Sequence, residues 1–590
     1  MEGSQVNEIV NNLQRFTWVD YVVFVLMLAV SAVVGVYWGF MKKQSTQQDY
    51  LLGGRNMKVF PVAMSLVASF VSGITLLGSP TEMYLYGTQY AFIMGGIILM
   101  SLVMTQVYLP VFHDLKITSN YEVGWLPIVI YVPALAINQV TGIDMHVITP
   151  VVCLVCVFYT SGGGLQAVVW TDVIQISAMF GAMALVAIKG TINVGGFSEV
   201  WRLNLEGHRI ETPNWDPSPL TRHTVWSLVI GGLVYWLQAN AVNQTMVQRY
   251  LALPTLPKAK WAVIVFCIGI SSLYCFCLYC GLLIYARFHD CDPLQTKLAK
   301  AKDQLLPLLV MDVLGDLPGL PGVFVAGIFS AALSSLSTSL NSMSAVVLED
   351  FYKPFCKKEL SERQTSWLMR SVVVIMGALC LTLVFVVEKL GTILQLTMTL
   401  EAITMGPQLG VFTMGILMPW VDSVAERLGL YYPYNGSVWV GAVSLRRASG
   451  LPELSFARAK TATSWSYPGA LAGGVTGLAA MSWWCLSAQL ALAHGLIQHS
   501  HKPLSVAGCT YNYTISDVTT PSPDINQAVN PLLRVSYMWY TLAGAAVAIC
   551  VGAAVSGARR MRKGDAYVPP PPALLAPIAS SLSRAPASRR

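Results

Sequence analysis

Charge is what this sequence has least of: Asp, Glu, Lys and Arg supply 11% of its 590 residues, where a soluble protein carries about a quarter. So few charges cannot cover a water-facing surface. A mean hydropathy of +0.56 therefore excludes an ordinary soluble enzyme. Most of the 12 cysteines fall inside apolar blocks, as do Cys267, Cys275, Cys277 and Cys280, where a small buried hydrophobe is the expected role. No mixed His and Cys cluster has metal-ligand spacing, and no Gly-rich phosphate loop follows a strand. No nucleophile–base constellation stands out, so an enzyme is not expected and no organic cofactor is implied. The first 17 residues lack a basic start and a small-residue cleavage site. The run from Val19 to Phe40 is too long for a signal-peptide core and reads as a retained span.

What is present is a series of apolar blocks of the length a bilayer needs, about 20 residues each. They fall near 18–40, 59–80, 89–112, 125–141, 145–160, 166–189, 224–246, 261–287, 318–346, 368–388, 391–419, 468–492 and 535–557. The blocks are continuous rather than alternating, so an all-α integral membrane protein of about 13 spans is expected. With the N-terminus outside, 25 of the 37 Lys and Arg residues fall on the cytoplasmic side, the bias that sets membrane topology. A basic cytoplasmic face near anionic lipid accounts for the net charge of +7, so no nucleic-acid partner is implied.

Two segments fit poorly. The fourth block, Trp125 to Ile137, holds about 13 residues, or ~20 Å of helix against a ~30 Å hydrocarbon core, and contains Pro127 and Pro133. Dropping it would invert every later loop. The stretch 422–467, with its LRRASGLPELSFARAK text, is unlike its apolar neighbours and reads as a cytoplasmic insertion within 420–467. The Pro-rich text after Lys563 has little to bury, and 558–590 reads as a disordered cytoplasmic tail.

Polar atoms in a membrane interior are costly unless they face a cavity. The second block carries Ser65, Ser69, Ser72, Gly73, Thr75 and Ser79 before Pro80, a composition that lets a helix unwind and offer carbonyls. Close packing of helices through small residues is the other reading. In the ninth block Ala331, Ser334, Ser335, Thr338 and Ser342 form one stripe of a helix. Its hydroxyls are hard ligands without fixed charge, suited to a monovalent cation that must leave again. Bonding of these serines to their own helix is the alternative. The seventh block holds Gln238, Asn240, Asn243 and Gln244, followed by Gln248, Arg249 and Tyr250 at the cytoplasmic edge. Asp172 opens the sixth block, either as a helix-start charge or on the cation's inward exit. Asn512-Tyr-Thr in the last outside loop, 493–534, is a glycosylation acceptor. Cys291 and Cys509 both fall in outside loops, and the topology allows a disulfide between them.

Together these segments resemble the sodium/solute symporters, the group of sodium–glucose, iodide, multivitamin and monocarboxylate carriers. The text carrying the resemblance is SLVASFVSGITLLGSPTEMYLYG, TSGGGLQAVVWTDVIQ, VNQTMVQRYLA and LPGLPGVFVAGIFSAALSSLSTSLNSMSAVVLEDFYKP. It runs from about Asp20 to Trp420 and resumes from about Pro468 to Val555. SPTE, NQxxVQRY, RHT at Arg222–Thr224 and EDFYKP point to the iodide, vitamin and monocarboxylate branch. The resemblance implies two LeuT-like inverted five-helix repeats over roughly 59–189 and 224–419. The extra span 18–40 precedes them, the outer loop 190–223 separates them, and two further spans lie within 468–557. Substrate and ion are expected between broken helices, and the polar second and ninth blocks are read as those helices.

Carried over by position, a sodium site falls on carbonyls of Ala68, Val71 and Ala331 and the hydroxyls of Ser334 and Ser335. Asp172 matches an acidic residue on the ion's inner route. Ser69, Phe70, Thr75, Trp236 and Asn240 match positions lining an anion pocket, with Thr75 standing where the iodide carrier has a glutamine. Family members have about 25 more residues between Val123 and Gly124, most of a helix at 1.5 Å per residue, and 422–467 has no family counterpart. A skipped exon and a retained intron would produce this pattern. The function expected is sodium-coupled import of a small organic anion, a monocarboxylate or vitamin, across the plasma membrane. An uncoupled channel or sensor, or an inactive form of the same fold, is the competing expectation.

Overall fold

The computed structural model describes residues 16–41, 53–115, 140–299, 301–352, 360–387, 393–418, 468–497, 501–511 and 529–563, with single positions 136, 499, 576 and 577. Most of the fourth block, the 422–467 stretch, Asn512 and most of the 558–590 tail lie outside the described residues.

The apolar blocks become helices because backbone groups in lipid must be satisfied within their own segment. We number them α1 (Trp18–Val36), α2 (Val59–Phe70), α3 (Gly73–Tyr86), α4 (Ile93–Val103), α5 (Met145–Val194), α6 (Phe197–Glu206), α7 (Gly232–Ala241), α8 (Gln244–Leu251), α9 (Leu256–Phe288), α10 (Leu305–Leu314), α11 (Leu320–Val346), α12 (Glu362–Val387), α13 (Ile393–Leu417), α14 (Pro468–Ala493) and α15 (Tyr540–Lys563). Among the described residues, eight helices are long and apolar enough to cross a membrane, and the α2–α3 pair, bent by 61°, makes a ninth. Trp18–Val34 and His146–Ser161 are apolar but shorter. The fifth and sixth blocks form two helical segments of α5 that meet at a break where Gly164 adopts φ 52° and ψ −156°. A side chain strains that backbone region, so the glycine suits the kink.

α11 is the hub. Of its most apolar stretch 94% is buried, against 28% for α14 at the periphery. It packs most extensively on α5 and also on α1 and α2. Its start is pinned by Asp20 of α1, a fully buried carboxylate accepting from the Gly319 and Gly322 amides at 2.9 and 2.8 Å. A negative charge at a helix start satisfies orphan N–H groups and complements the helix dipole.

The breaks fall partly where the sequence suggests. α2 ends at Val71, in extended conformation with ψ 107°, and α3 restarts after Ser72. The ninth block is not broken: α11 runs unbroken from Leu320 to Val346. Its serines bond back to their own helix, Ser330 to the Ala326 carbonyl at 2.8 Å and Ser337 to that of Ser334 at 3.0 Å, which is compatible with continuous turns. The second break lies in the seventh block instead. α7 ends at Ala241, and Asn243, extended with ψ 120°, caps α8 by accepting from the Thr245 and Met246 amides. A capping Asn satisfies the first orphan donors of a new helix.

One end of the bundle is closed by a lid comprising α6, the 207–223 loop and the segments that Cys291–Cys509 joins, whose Cα atoms lie 4.9 Å apart. Arg209 fastens this lid. It is buried, donates to the Gly207 and Pro503 carbonyls at 2.7 Å each, and lies over the Tyr285 ring at 3.8 Å.

Candidate functional site

Three layers of polar residues run through the bundle. The layer farthest from the disulfide centres on Asp172 of α5, which is fully buried. Its Oδ1 accepts from Ser334 Oγ at 2.6 Å and its Oδ2 from Ser65 Oγ at 2.5 Å. Arg249 of α8, also fully buried, donates to the same Oδ2 at 3.0 Å, to Ser65 Oγ at 2.5 Å and to the Thr245 carbonyl at 2.9 Å. The nitrogen that meets Asp172 also donates to Thr338 Oγ1 at 2.5 Å. One ion pair thus ties α2, α5, α8 and α11 together. Such a pair survives burial because nearly every lone pair and proton is used.

The sequence places Arg249 at the cytoplasmic edge; its side chain is fully buried and paired with Asp172, and only the periodicity of VQRY on a buried helix face could have signalled that burial. Asp172 is not a simple helix-start charge, since the residues on both sides of it are helical.

Beside this pair the hydroxyl stripe of α11 faces the broken helix. Ser335 Oγ donates to the Ser69 carbonyl at 3.1 Å, and Ser69 and Thr338 hydroxyls lie 3.1 Å apart. Ser334, Ser335 and Ala331 are fully buried, as are Ala68 and Val71 at the break. Helix ends leave carbonyls without intrahelical donors. The last turn of α2 thus brings backbone and side-chain oxygens of the kind that suit a monovalent cation to the α11 stripe.

The middle layer is a cavity with about 40 Å³ of free space, lined by Ser69, Phe70, Ser72, Thr75, Tyr235, Gln238, Asn243, Tyr274, Thr397 and Glu401, among others. That room holds about three waters at roughly 10–15 Å³ each, or a solute of a few heavy atoms. Of the residues expected there, Ser69, Phe70 and Thr75 line it and Trp236 and Asn240 do not. Trp236 lies behind Phe70, with ring centres 4.2 Å apart. Asn240 turns away, donating to the Trp236 carbonyl at 2.9 Å and accepting from the Tyr250 hydroxyl at 2.8 Å. Glu401 and Gln238 were not expected. Gln238 is part of the polar run in the seventh block, whereas Glu401 is a lone acid in an apolar block and is the clearer signal.

The third layer sits between the cavity and the lid. Arg222 donates to Glu82 at 2.6 Å and to Gln395 Oε1 at 3.1 Å, and its guanidinium lies over Tyr86 at 4.3 Å and Tyr537 at 5.0 Å. Burial opposes its charge, but Glu82, Tyr86 and Tyr537 outweigh that and raise its pKa. Three histidines stand nearby. Burial first and Arg222 second hold His223 well below its ordinary value and His499 at about 3, while burial and Lys302 hold His501 at about 4.

No group of three metal-ligating His, Cys, Asp or Glu side chains occurs among the described residues. The chain does contain C-x-x-C spacings, at Cys153–Cys156 and Cys277–Cys280. All four cysteines are buried in helices and are not disulfide-bonded.

Two discontinuous helices against a buried hydroxyl stripe, with polar latches on either side of a small cavity, define an ion-coupled solute carrier. The chain belongs to the Sodium:solute symporter family, whose profile matches residues 50–123 and 125–424. Sodium-coupled monocarboxylate transporter 1 of Homo sapiens is 40% identical over 445 residues, covering 72% of this chain and 73% of that one. The Xenopus laevis protein of that name is 35% identical, with 92% and 86% covered. The Homo sapiens sodium/iodide cotransporter is 37% identical, with 71% and 69% covered. The solved structure of a Na⁺-coupled sialic acid symporter, substrate-bound and outward-open, superposes with a TM-score of 0.68 at 22% identity, covering 94% of this chain and 99% of that one. At that identity the likeness establishes the fold, an all-helical LeuT-type architecture. Family membership makes this chain a sodium-coupled symporter.

Proposed function

We propose that the chain carries a small carboxylate, of the monocarboxylate or vitamin class, across the plasma membrane with sodium, by alternating access. The observation that carries this is the meeting of the α2–α3 break with the hydroxyl stripe of α11, where the Ser335 hydroxyl reaches the Ser69 carbonyl. Sodium bound by the carbonyls of Ala68, Val71 and Ala331 and the hydroxyls of Ser334 and Ser335 would hold α11 against the broken helix. Asp172 beside it would accept the ion on its way out, exchanging it for Arg249. The relatives named for monocarboxylates support the solute class.

The N-terminus lies outside and the C-terminus inside on this reading, so the disulfide-bearing lid faces the exterior, an oxidising compartment. The Glu82–Arg222–Gln395 bonds are then the outer latch and the Asp172–Arg249 pair the inner one.

Vesicles bearing the purified chain test this. An inward sodium gradient should drive labelled lactate, nicotinate or propionate above its external concentration, and potassium should not replace sodium. Equilibration without accumulation would mean a pore, because a pore cannot concentrate solute.

A further inference from the structure

The middle cavity is lined by an acid and, among the described residues, by no Lys, Arg or His. Glu401 projects into it from α13, on the face that also presents Thr397, Met398 and Met405. The Tyr235 side chain lines the same cavity. One turn along α7 from Tyr235, the fully buried Gln238 also lines the cavity, and neither its amide nitrogen nor its amide oxygen has a partner.

Buried polar groups are normally hydrogen-bonded, and an exception that opens onto a cavity marks where a ligand or water completes the set. A carboxylate within the membrane likewise needs a partner. The nearby cation of the outer latch is already engaged: Arg222 is bound to Glu82 and to Gln395, and Gln395 lies six residues before Glu401, about 9 Å along the helix. The counter-charge for Glu401 is therefore left to the solute. A simple monocarboxylate brings only a second negative charge to this wall, and like charges in a low-dielectric site repel strongly. A solute with both a carboxylate and an ammonium group satisfies both features. The Gln238 amide N–H donates to the carboxylate, and the ammonium donates to Glu401.

We propose that Glu401 and Gln238 form the solute-recognition pair and that the cavity takes a small zwitterionic amino carboxylate in preference to a monocarboxylate. This rests on the sodium-symport reading above and moves the preferred solute from a simple monocarboxylate to an amino carboxylate. The free space of about 40 Å³ in this conformation suits a small solute.

The test compares near-isosteric pairs in proteoliposomes bearing the full chain under an inward sodium gradient: β-alanine against propionate, and γ-aminobutyrate against butyrate. The wild-type chain should take up each amino carboxylate at least about tenfold more efficiently than its partner, the scale of a hydrogen bond to a charged group. Glu401→Gln should lower amino-carboxylate uptake by about the same factor and raise propionate and butyrate uptake, while Glu401→Asp should keep the wild-type order. Sodium-dependent protection against thermal unfolding by β-alanine should be present in the wild type and absent in Glu401→Gln, a readout that requires folding but not turnover. Gln238→Leu should weaken both members of each pair with their ratio preserved.

Sodium-driven uptake of propionate at or above the β-alanine rate overturns the proposal and leaves the symport reading standing. An equal loss of all four solutes in Glu401→Gln, with a shifted sodium dependence, also overturns it by making Glu401 an ion ligand. Absence of sodium-driven uptake of every probe overturns both readings.

Discussion

Ser334 and Arg249 share one carboxylate, Asp172, and that sharing yields two predictions. If sodium binds here as proposed, removing its two side-chain oxygens with Ser334→Ala and Ser335→Ala should raise the sodium concentration for half-maximal uptake by roughly thirtyfold, since each lost polar contact is worth about 1 kcal/mol. Unchanged sodium dependence in a well-expressed double variant would remove the ion from this stripe. The ion pair itself obeys a different rule. Deleting one partner of a buried pair strands the other charge and costs roughly 3–5 kcal/mol, whereas replacing both is far milder. Asp172→Asn should therefore lower the Tm of the purified protein by several degrees, and adding Arg249→Gln should recover part of the loss. A double variant as unstable as the sum of the two singles would show that the residues are not energetically coupled. The hydroxyl stripe was legible because its spacing alone puts its members on one face. Arg249 was not, because a basic residue near the end of an apolar block looks the same whether it reaches water or folds inward.

At the level of elements, what sequence discloses is the cost of a helix break and what it hides is how a helix avoids one. Small hydroxyls, Gly73 and Pro80 mark α2–α3 as breakable, and it is broken. The serine-rich α11 has a similar composition yet runs unbroken, with Ser330 and Ser337 bonded back to their own helix and Ser334 and Ser335 bonded across to its neighbours. The α7–α8 break rests on a single Asn243 cap inside a polar run, too local a signal to separate from ordinary helix.

The lid supplies a prediction of its own. His223, His499 and His501 resist protonation in the folded lid, with His499 held at about 3 and His501 at about 4, against about 6.5 when unfolded. The unfolded chain binds more protons below pH 6.5, so the stability these groups contribute is full above that value and falls as pH drops toward 4. Thermal unfolding followed from pH 7 to pH 4 should show a declining Tm. His499→Asn with His501→Asn should flatten the decline, and an identical slope in that variant would place the acid sensitivity elsewhere.

The whole molecule carries two discontinuities that physics treats differently. The family profile parts between residues 123 and 125 and ends at residue 424, where the sequence itself changes character. On the sequence reading, a missing stretch of about 25 residues would remove most of a span, and a block of about 13 residues would reach only ~20 Å across a ~30 Å core. That shortfall would fall inside the first of the two expected repeats, whose helices would have to move against one another for alternating access. On the orientation proposed above, an added stretch such as 422–467 would join two blocks on the cytoplasmic side, where lengthening a loop costs only about 0.6 kcal/mol per doubling. Deleting 422–467 should accordingly change sodium-driven uptake little. Inserting the corresponding residues of the human monocarboxylate relative between Val123 and Gly124 should raise both the Tm and the maximal uptake rate. Surface-normalised uptake and thermal unfolding of the four combinations would measure this. If the insertion fails to improve either quantity while the deletion abolishes transport, the added stretch rather than the short span is what the present fold depends on.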